Sequence, residues 1–283
     1  MPKEKSPRSS EGSFRSMLRS AFRTTISTVF LFVGVFVIMN IYQTGQQTTQ
    51  VCDEQSIALG DSEDRRHYRA WKSLSGGHHC VDYESRAAVS DGFFDKRLNL
   101  PRPHDPNLSD EAFWGYIYQQ LLLQNQDQVD FIADSLISIG QQKSLSRYDL
   151  AALMVTFVQD IPYVLISSTT CEADYEGPCR GDEPFGILSP YEFLHSLQGD
   201  CDTRSVLLYA LLKKAGFKPL IVVSEEYAHA MIALDVATTG DYISYQRQKY
   251  FFWETTSHGW KPGMLPPSTN NVQYWKIALA HEF

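Results

Sequence analysis

The stretch TTISTVFLFVGVFVIMNIY, residues 24–42, has no ionisable side chain except Tyr42. A helix of about 20 apolar residues crosses a hydrocarbon layer of roughly 30 Å, so this segment is expected to be a single membrane-spanning helix. A cleaved signal peptide is the competing reading. Its apolar region is usually shorter, about 7–15 residues, and ends at a small-residue cleavage site, which MNIYQTGQQ does not offer. Residues 1–23 hold Lys3, Lys5, Arg8, Arg15, Arg19 and Arg23 against Glu4 and Glu11. No basic residue follows the span until Arg65. The positive-inside rule therefore predicts a cytoplasmic tail and an extracytoplasmic (periplasmic) body, with the chain held in the inner membrane by residues 24–42. The whole chain carries a net charge of −8 despite the basic tail. A phosphate backbone is not its partner, and no nucleic acid is expected.

An extracytoplasmic location permits disulfides. The chain has five cysteines: Cys52, Cys80, Cys171, Cys179 and Cys201. Cys171 and Cys179 flank the short loop CEADYEGPC, which a disulfide could clamp. Cys52 and Cys80 bracket the first extramembrane segment and could pair likewise. Five cysteines allow many pairings, and an odd one remains in any case. On this pairing the remaining thiol is Cys201. No Cys-x2-Cys or His-Glu-x-x-His spacing points to zinc.

Residues 43–107 are mixed in Gln, Ser, Asp, Gly and Pro and are expected to be a stalk and irregular lead-in. The folded domain is expected over residues 108–283. Ser109 or Asp110 can cap a helix starting near Glu111, and helical sequence continues to Gly140, which stops either this helix or another begun within the run. SRYDLAALMVTFVQDI is a second helix, ended by Pro162, and SPYEFLHSL a short third. The run VLLYALLKKAG is apolar nearly all round, as a buried helix is. Lys213 and Lys214 complement its C-terminal dipole, and Gly216 stops it. Its N-terminus falls at Cys201, where the positive end of the helix is expected to lower the thiol pKa. Asp200 and Asp202 oppose that effect if they lie close.

Downstream, PLIVVS reads as a strand. HAMIALDV, residues 229–236, alternates, with Ala230, Ile232, Leu234 and Val236 on one face and His229 and Asp235 on the other. TTGDYI supplies turn chemistry. KYFFWET, residues 249–255, is a further strand. An antiparallel hairpin of these two strands, centred near 241–242, sets His229 beside Glu254. A thiolate attacks acyl carbon, an imidazole takes the thiol proton and returns it to a leaving amine, and a carboxylate orients the imidazole.

At these residues the sequence resembles the transglutaminase-like superfamily, most closely its bacterial and archaeal cysteine peptidase type. The resemblance rests on FVQDIPY (157–163), SPYEFLHSLQGDCDTRSVLLYALLKKAGF (189–217), AHAMIAL (228–234) and YFFWETTSHGWKPGMLPP (250–267), and spans roughly residues 150–268. It implies an α+β fold with a papain-like transglutaminase core, helices packed on an antiparallel sheet. Cys201 would be the nucleophile, His229 the base and Glu254 the orienting acid. The wider family often has Asp at the third position. The resemblance also makes Gln159 the candidate oxyanion side chain, with a backbone N–H at the nucleophile. Tyr163 and Trp260 are candidates for the substrate cleft, whereas Trp253, on the face opposite Glu254, is expected in the core.

The acidic loop CEADYEGPCRGDEP raises calcium, but it lacks the Asp-x-Asp-x-Asp-Gly register with a terminal Glu. No metal or other cofactor is expected. The expected activity is hydrolysis of peptide or amide bonds in a protein or peptide substrate through a thioester. Transamidation by the same thioester and a non-catalytic binding module are the alternatives.

Overall fold

The computed structural model describes residues 55–282, without 60–62, 104, 106, 126 and 237. The tail 1–23, the span expected over 24–42 and Cys52 lie outside the described residues. Among the described residues no helix is long and apolar enough to cross a membrane.

The first difference from expectation lies within residues 43–107. Gln55–Ala58 (β1), Arg65–Lys72 (β2) and His78–Ser85 (β3) form a three-stranded antiparallel sheet, followed by helix Ala87–Leu98 (α1). The described part is not an irregular lead-in, since Trp71, Tyr83 and Leu100 enter the same core as the later helices. Strand β2 does alternate, but its buried positions are His67, Arg69 and Trp71, so two of the three inward residues are polar. That pattern hides a strand from a reading based on apolar periodicity. The Trp71 indole donates to the Leu153 carbonyl at 3.3 Å and meets the Phe157 ring edge-on at 5.1 Å. Arg97, fully buried at the end of α1, bonds Glu192 at 2.8 Å and Glu183 at 2.5 Å, locking this segment to the rest.

Helices Asp110–Gln124 (α2), Asp130–Gln142 (α3) and Arg147–Gln159 (α4) follow. Of the two readings of the run to Gly140, the structure has the two-helix one: the first helix ends at Gln124, and the Asn125 side chain donates to the Leu121 carbonyl and accepts from Tyr191 N. Gly140 is internal to α3. A Cβ there would lie 2.7 Å from the Leu150 side chain, so glycine allows the close packing of two helices rather than a stop.

Leu165–Ile166 (β4) and Cys179–Arg180 (β5) pair in parallel at the base of the loop closed by the Cys171–Cys179 disulfide. Pro190–Ser196 (α5) opens with a capping box between Ser189 and Glu192, which satisfies orphan N–H groups reciprocally. Cys201–Lys214 (α6) is buried along most of its length, and Gly216, at φ 78°, ends it as expected.

The chain then forms Leu220–Ser224 (β6), His229–Leu234 (β7), Tyr242–Tyr245 (β8), Gln248–Trp253 (β9) and Lys276–Leu279 (β10). These make one antiparallel sheet in the order β10-β6-β7-β9-β8. Helix α6 packs on one face against Ile221, Val223, Ala230, Ile232, Leu234 and Trp253. Leu220, Val222, Met231, Ala233, Tyr250 and Phe252 point to the other face, under Leu265 and Trp275. Burial on both faces explains the near-continuous apolar sequence of β6 and β7. Each fully buried side chain such as Ile232 contributes roughly 1.5–3 kcal/mol. The architecture is therefore α+β, helices against antiparallel sheets.

Candidate active site

The site grows from the start of α6. Asp200 caps the helix, its Oδ1 accepting from Thr203 N at 3.1 Å. Helix capping of this kind fixes the first turn, and Cys201 is its first residue. Immediately upstream, Gly199 pairs with Tyr163, and a Cβ at Gly199 would fall 2.8 Å from the Phe193 ring.

Arg204, one turn further along, is fully buried and binds backbone carbonyls from three directions. It donates to Gly199 at 3.1 Å and Val158 at 2.8 Å, and also to Ile161 and Thr255. One guanidinium thus ties the loop before Cys201 to the end of α4 and to the segment after β9. Sequence reasoning passed over Arg204. Its signal was a charged residue inside a stretch otherwise read as a buried helix.

His229 begins β7, paired with Ser224. Its Nε2 lies 3.1 Å from Glu254 Oε2. The other Glu254 oxygen accepts from Thr255 N at 2.9 Å, Thr256 N at 2.8 Å and Thr256 Oγ1 at 2.6 Å. Burial opposes ionisation of this carboxyl, but the bond and charge of His229 and the Thr256 donors outweigh it and pull the pKa down to about 2. Glu254 is therefore a fixed carboxylate that holds the imidazole through Nε2.

The His229–Glu254 meeting does not come from the simple hairpin that the sequence suggested. That register sets Ile232 opposite Phe251, whereas the structure pairs Leu234 with Phe251 and Ile232 with Trp253. Strand β8, read from sequence as turn chemistry, lies between β7 and β9 in the chain and pairs on the outer side of β9. The slip is even, so the same faces stay together. His229 and Glu254 meet diagonally instead of face to face.

The thiol also departs from expectation. Burial first, and then the charges of Asp202 and Asp200, push Cys201 well above its ordinary value. Desolvation penalises the thiolate and the two neighbouring aspartates act in the same direction, so the net shift is upward at a helix N-terminus. The Ala230 N–H bonds the sulfur and acts in the opposite direction. Cys201 Sγ donates to Asp202 Oδ2 at 3.4 Å, and Asp202 Oδ1 accepts from the Tyr118 hydroxyl. Burial raises the Asp202 carboxyl, while Tyr118, Cys201 and the nearby His229 act to lower it.

Asp202 and His229 share a cavity of about 280 Å³ with Asp110, Trp114, Ser224 and Ala228. Through Asp110, Val223 and Glu225 it adjoins a wider groove of about 600 Å³ that includes Glu111, Glu226 and Lys276. The Trp275 ring stands edge-on to His229 at 5.8 Å. Trp114, Tyr118 and Trp275 were not singled out from sequence, because each sits on an element whose aromatic content reads equally well as core.

The remaining candidates divide. Gln159 Nε2 donates to the Glu254 carbonyl at 2.6 Å, so this side chain braces the acid's backbone from α4. Tyr163 is close enough to Cys201 and Asp200 that their charges, after burial, oppose ionisation of its phenol. Its ring also faces the Arg204 guanidinium at 5.6 Å. Trp260 is half-buried in the loop after β9. Trp253 lies in the core, as expected. Cys171 and Cys179 are bonded, S–S 1.99 Å, and Cys80 is also disulfide-bonded, its expected partner Cys52 being outside the described residues. Cys201 is the free cysteine among the described residues. Among them, no group of three His, Cys, Asp or Glu side chains is arranged to hold a metal ion.

No protein-family model, curated protein or solved structure matches this chain.

Proposed function

We propose that this chain is a membrane-anchored, extracytoplasmic cysteine enzyme of the transglutaminase-like type that hydrolyses peptide or amide bonds. One observation above all supports the reading. A free cysteine at the first turn of a buried helix donates to Asp202, Asp202 lines a cavity together with His229, and that histidine is bonded through Nε2 to a carboxylate held by three further donors. The arrangement joins three segments distant in sequence, and each residue type has a task in acyl transfer.

In this reading His229 Nδ1 takes the proton from Cys201 as the sulfur attacks the acyl carbon of a protein or peptide substrate. Glu254 keeps Nε2 protonated and stabilises the imidazolium that forms. The imidazolium then gives its proton to the leaving amine, and a thioester remains on Cys201. Water, activated by the same imidazole, hydrolyses it. Gln159 acts in this scheme by holding Glu254, and Tyr163 forms the cleft wall beside the sulfur. The chemistry runs on side chains alone.

The test uses the full-length chain with fluorescent casein and a mixed peptide library. Turnover is expected for the wild type, with loss of at least about a thousandfold in Cys201→Ala and His229→Ala while the unfolding midpoint stays close to that of the parent. Turnover unchanged in Cys201→Ala would sink the assignment. Release of ammonia or amine with cross-linked product, instead of cleaved product, would redirect the thioester to transamidation.

A further inference from the structure

Asp202 has no task in a cysteine–histidine–glutamate scheme, yet it is the side chain that touches the sulfur. Its Oδ2 accepts from Cys201 Sγ at 3.4 Å. Its Oδ1 is held by the hydroxyl of Tyr118, a residue with no exposed surface in α2. Tyr118 is itself stacked on Trp114 at 5.8 Å, so the carboxylate is fixed from a helix far away in sequence. Asp202 and His229 line the same cavity. The hydrogen bonds therefore direct the sulfhydryl to Asp202 and the imidazole to Glu254.

We propose that Asp202, fixed by Tyr118, is a positioning residue that keeps the Cys201 sulfhydryl protonated and turned from His229 until a substrate occupies the cavity. The inference rests on the reading of Cys201 as the nucleophile. When substrate enters, the S–H bond breaks, its proton passes to His229 Nδ1, and the sulfur electron pair forms the bond to the acyl carbon. Asp202 neither gains nor loses a proton in this step. A carboxylate beside the sulfur disfavours a free thiolate, so the proton leaves only when an acyl carbon is there to take the electron pair. The other charged or titratable groups around the sulfur are Asp200 at the cap of α6, Arg204 within it, Tyr118 from α2 and Tyr163 after α4, with His229 from β7 acting on Asp202. Glu254 reaches this group through His229 and through the charge it shares with Arg204. Of these, only Asp202 accepts the thiol hydrogen.

The experiment follows iodoacetamide labelling of Cys201 in the full-length chain across pH, mapped by mass spectrometry. Wild type is expected to label slowly at neutral pH. Asp202→Asn removes the charge, keeps an oxygen for Tyr118 and offers the sulfur an N–H. It is expected to lower the labelling midpoint by at least about one pH unit and to speed labelling at pH 7 about tenfold or more. Asp202→Glu keeps the charge and is expected to stay slow. Coincident pH profiles for wild type and Asp202→Asn would overturn the proposal. Should Asp202→Asn fail to fold, Tyr118→Phe carries the test. Removing the donor weakens the hold on Asp202, so faster labelling is expected and an unchanged profile refutes it. Labelling reads the thiol directly. If Cys201→Ala leaves turnover intact, the enzyme reading falls by itself, whereas the labelling shift in Asp202→Asn decides this inference.

Discussion

Replacing Glu254 with Gln tests the electrostatic core of the site. The carboxyl titrates at about 2 in the folded chain, against an ordinary 4.5. Its side chain is 2% exposed, so solvent screens the effect little. A depression of this size corresponds to about 3 kcal/mol, at roughly 1.4 kcal/mol per pH unit. Because the folded-state pKa lies below the unfolded one, the stabilisation is fully present above pH 4.5. It is lost as the pH falls toward 2, where protons bind the unfolded chain first. About 2 kcal/mol of it should be gone by pH 3. Glu254→Gln has no such titration. Urea unfolding of the two proteins at pH 7, 5, 4 and 3 should show a stability difference that narrows by about 2 kcal/mol between pH 7 and pH 3. Curves for parent and variant that fall in parallel with pH would refute the coupling of Glu254 to His229 and the Thr256 donors. The same variant should lose activity more through kcat than through KM, because the carboxylate orients the base and does not bind substrate.

Three further outcomes follow from the packing. Gly115→Ala places a Cβ 2.1 Å from the Ala278 carbonyl oxygen, where α2 presses on β10. It is expected to destabilise the fold by about 1–3 kcal/mol, visible as a lower thermal midpoint. Arg97→Met leaves Glu183 and Glu192 without their shared buried cation. A loss of about 3–5 kcal/mol is expected in urea unfolding at pH 7, because two buried carboxylates lose the cation between them. The double variant Cys171→Ser/Cys179→Ser opens a loop of sequence separation 8. It should cost about 2–3 kcal/mol in the same assay, with Cys201 labelling unaltered.

The legible part of the site was the part set by near neighbours in the chain. The apolar run, the two lysines of its last turn and Gly216 announce α6 and put Cys201 at its start, as the structure has it. The β-branched run at 220–224 and the alternating stretch at 229–236 announce strands, and the closely spaced Cys171 and Cys179 announce a short bridged loop. The three-stranded sheet over residues 55–85 was illegible. Its inward residues include His67 and Arg69, whose burial depends on partners such as Ser85 and Asp160 far along the sequence. Strand β8 was illegible for a related reason. Its residues are exposed or half-exposed, and only pairing with β9 makes them a strand.

By itself the sequence determined which residues could do acyl chemistry and that each stands at the end of a regular element, because capping, periodicity and turn propensity act over a few residues. Only the tertiary structure decided how those groups are poised. The register of β7 on β9 sets His229 diagonally to Glu254, Arg204 joins three segments through their carbonyls, and Tyr118 brings Asp202 to the sulfur. Desolvation and charge coupling fall off with distance in space and not along the chain. The raised thiol of Cys201 and the lowered carboxyl of Glu254 are therefore properties of the packed site, absent from either residue alone.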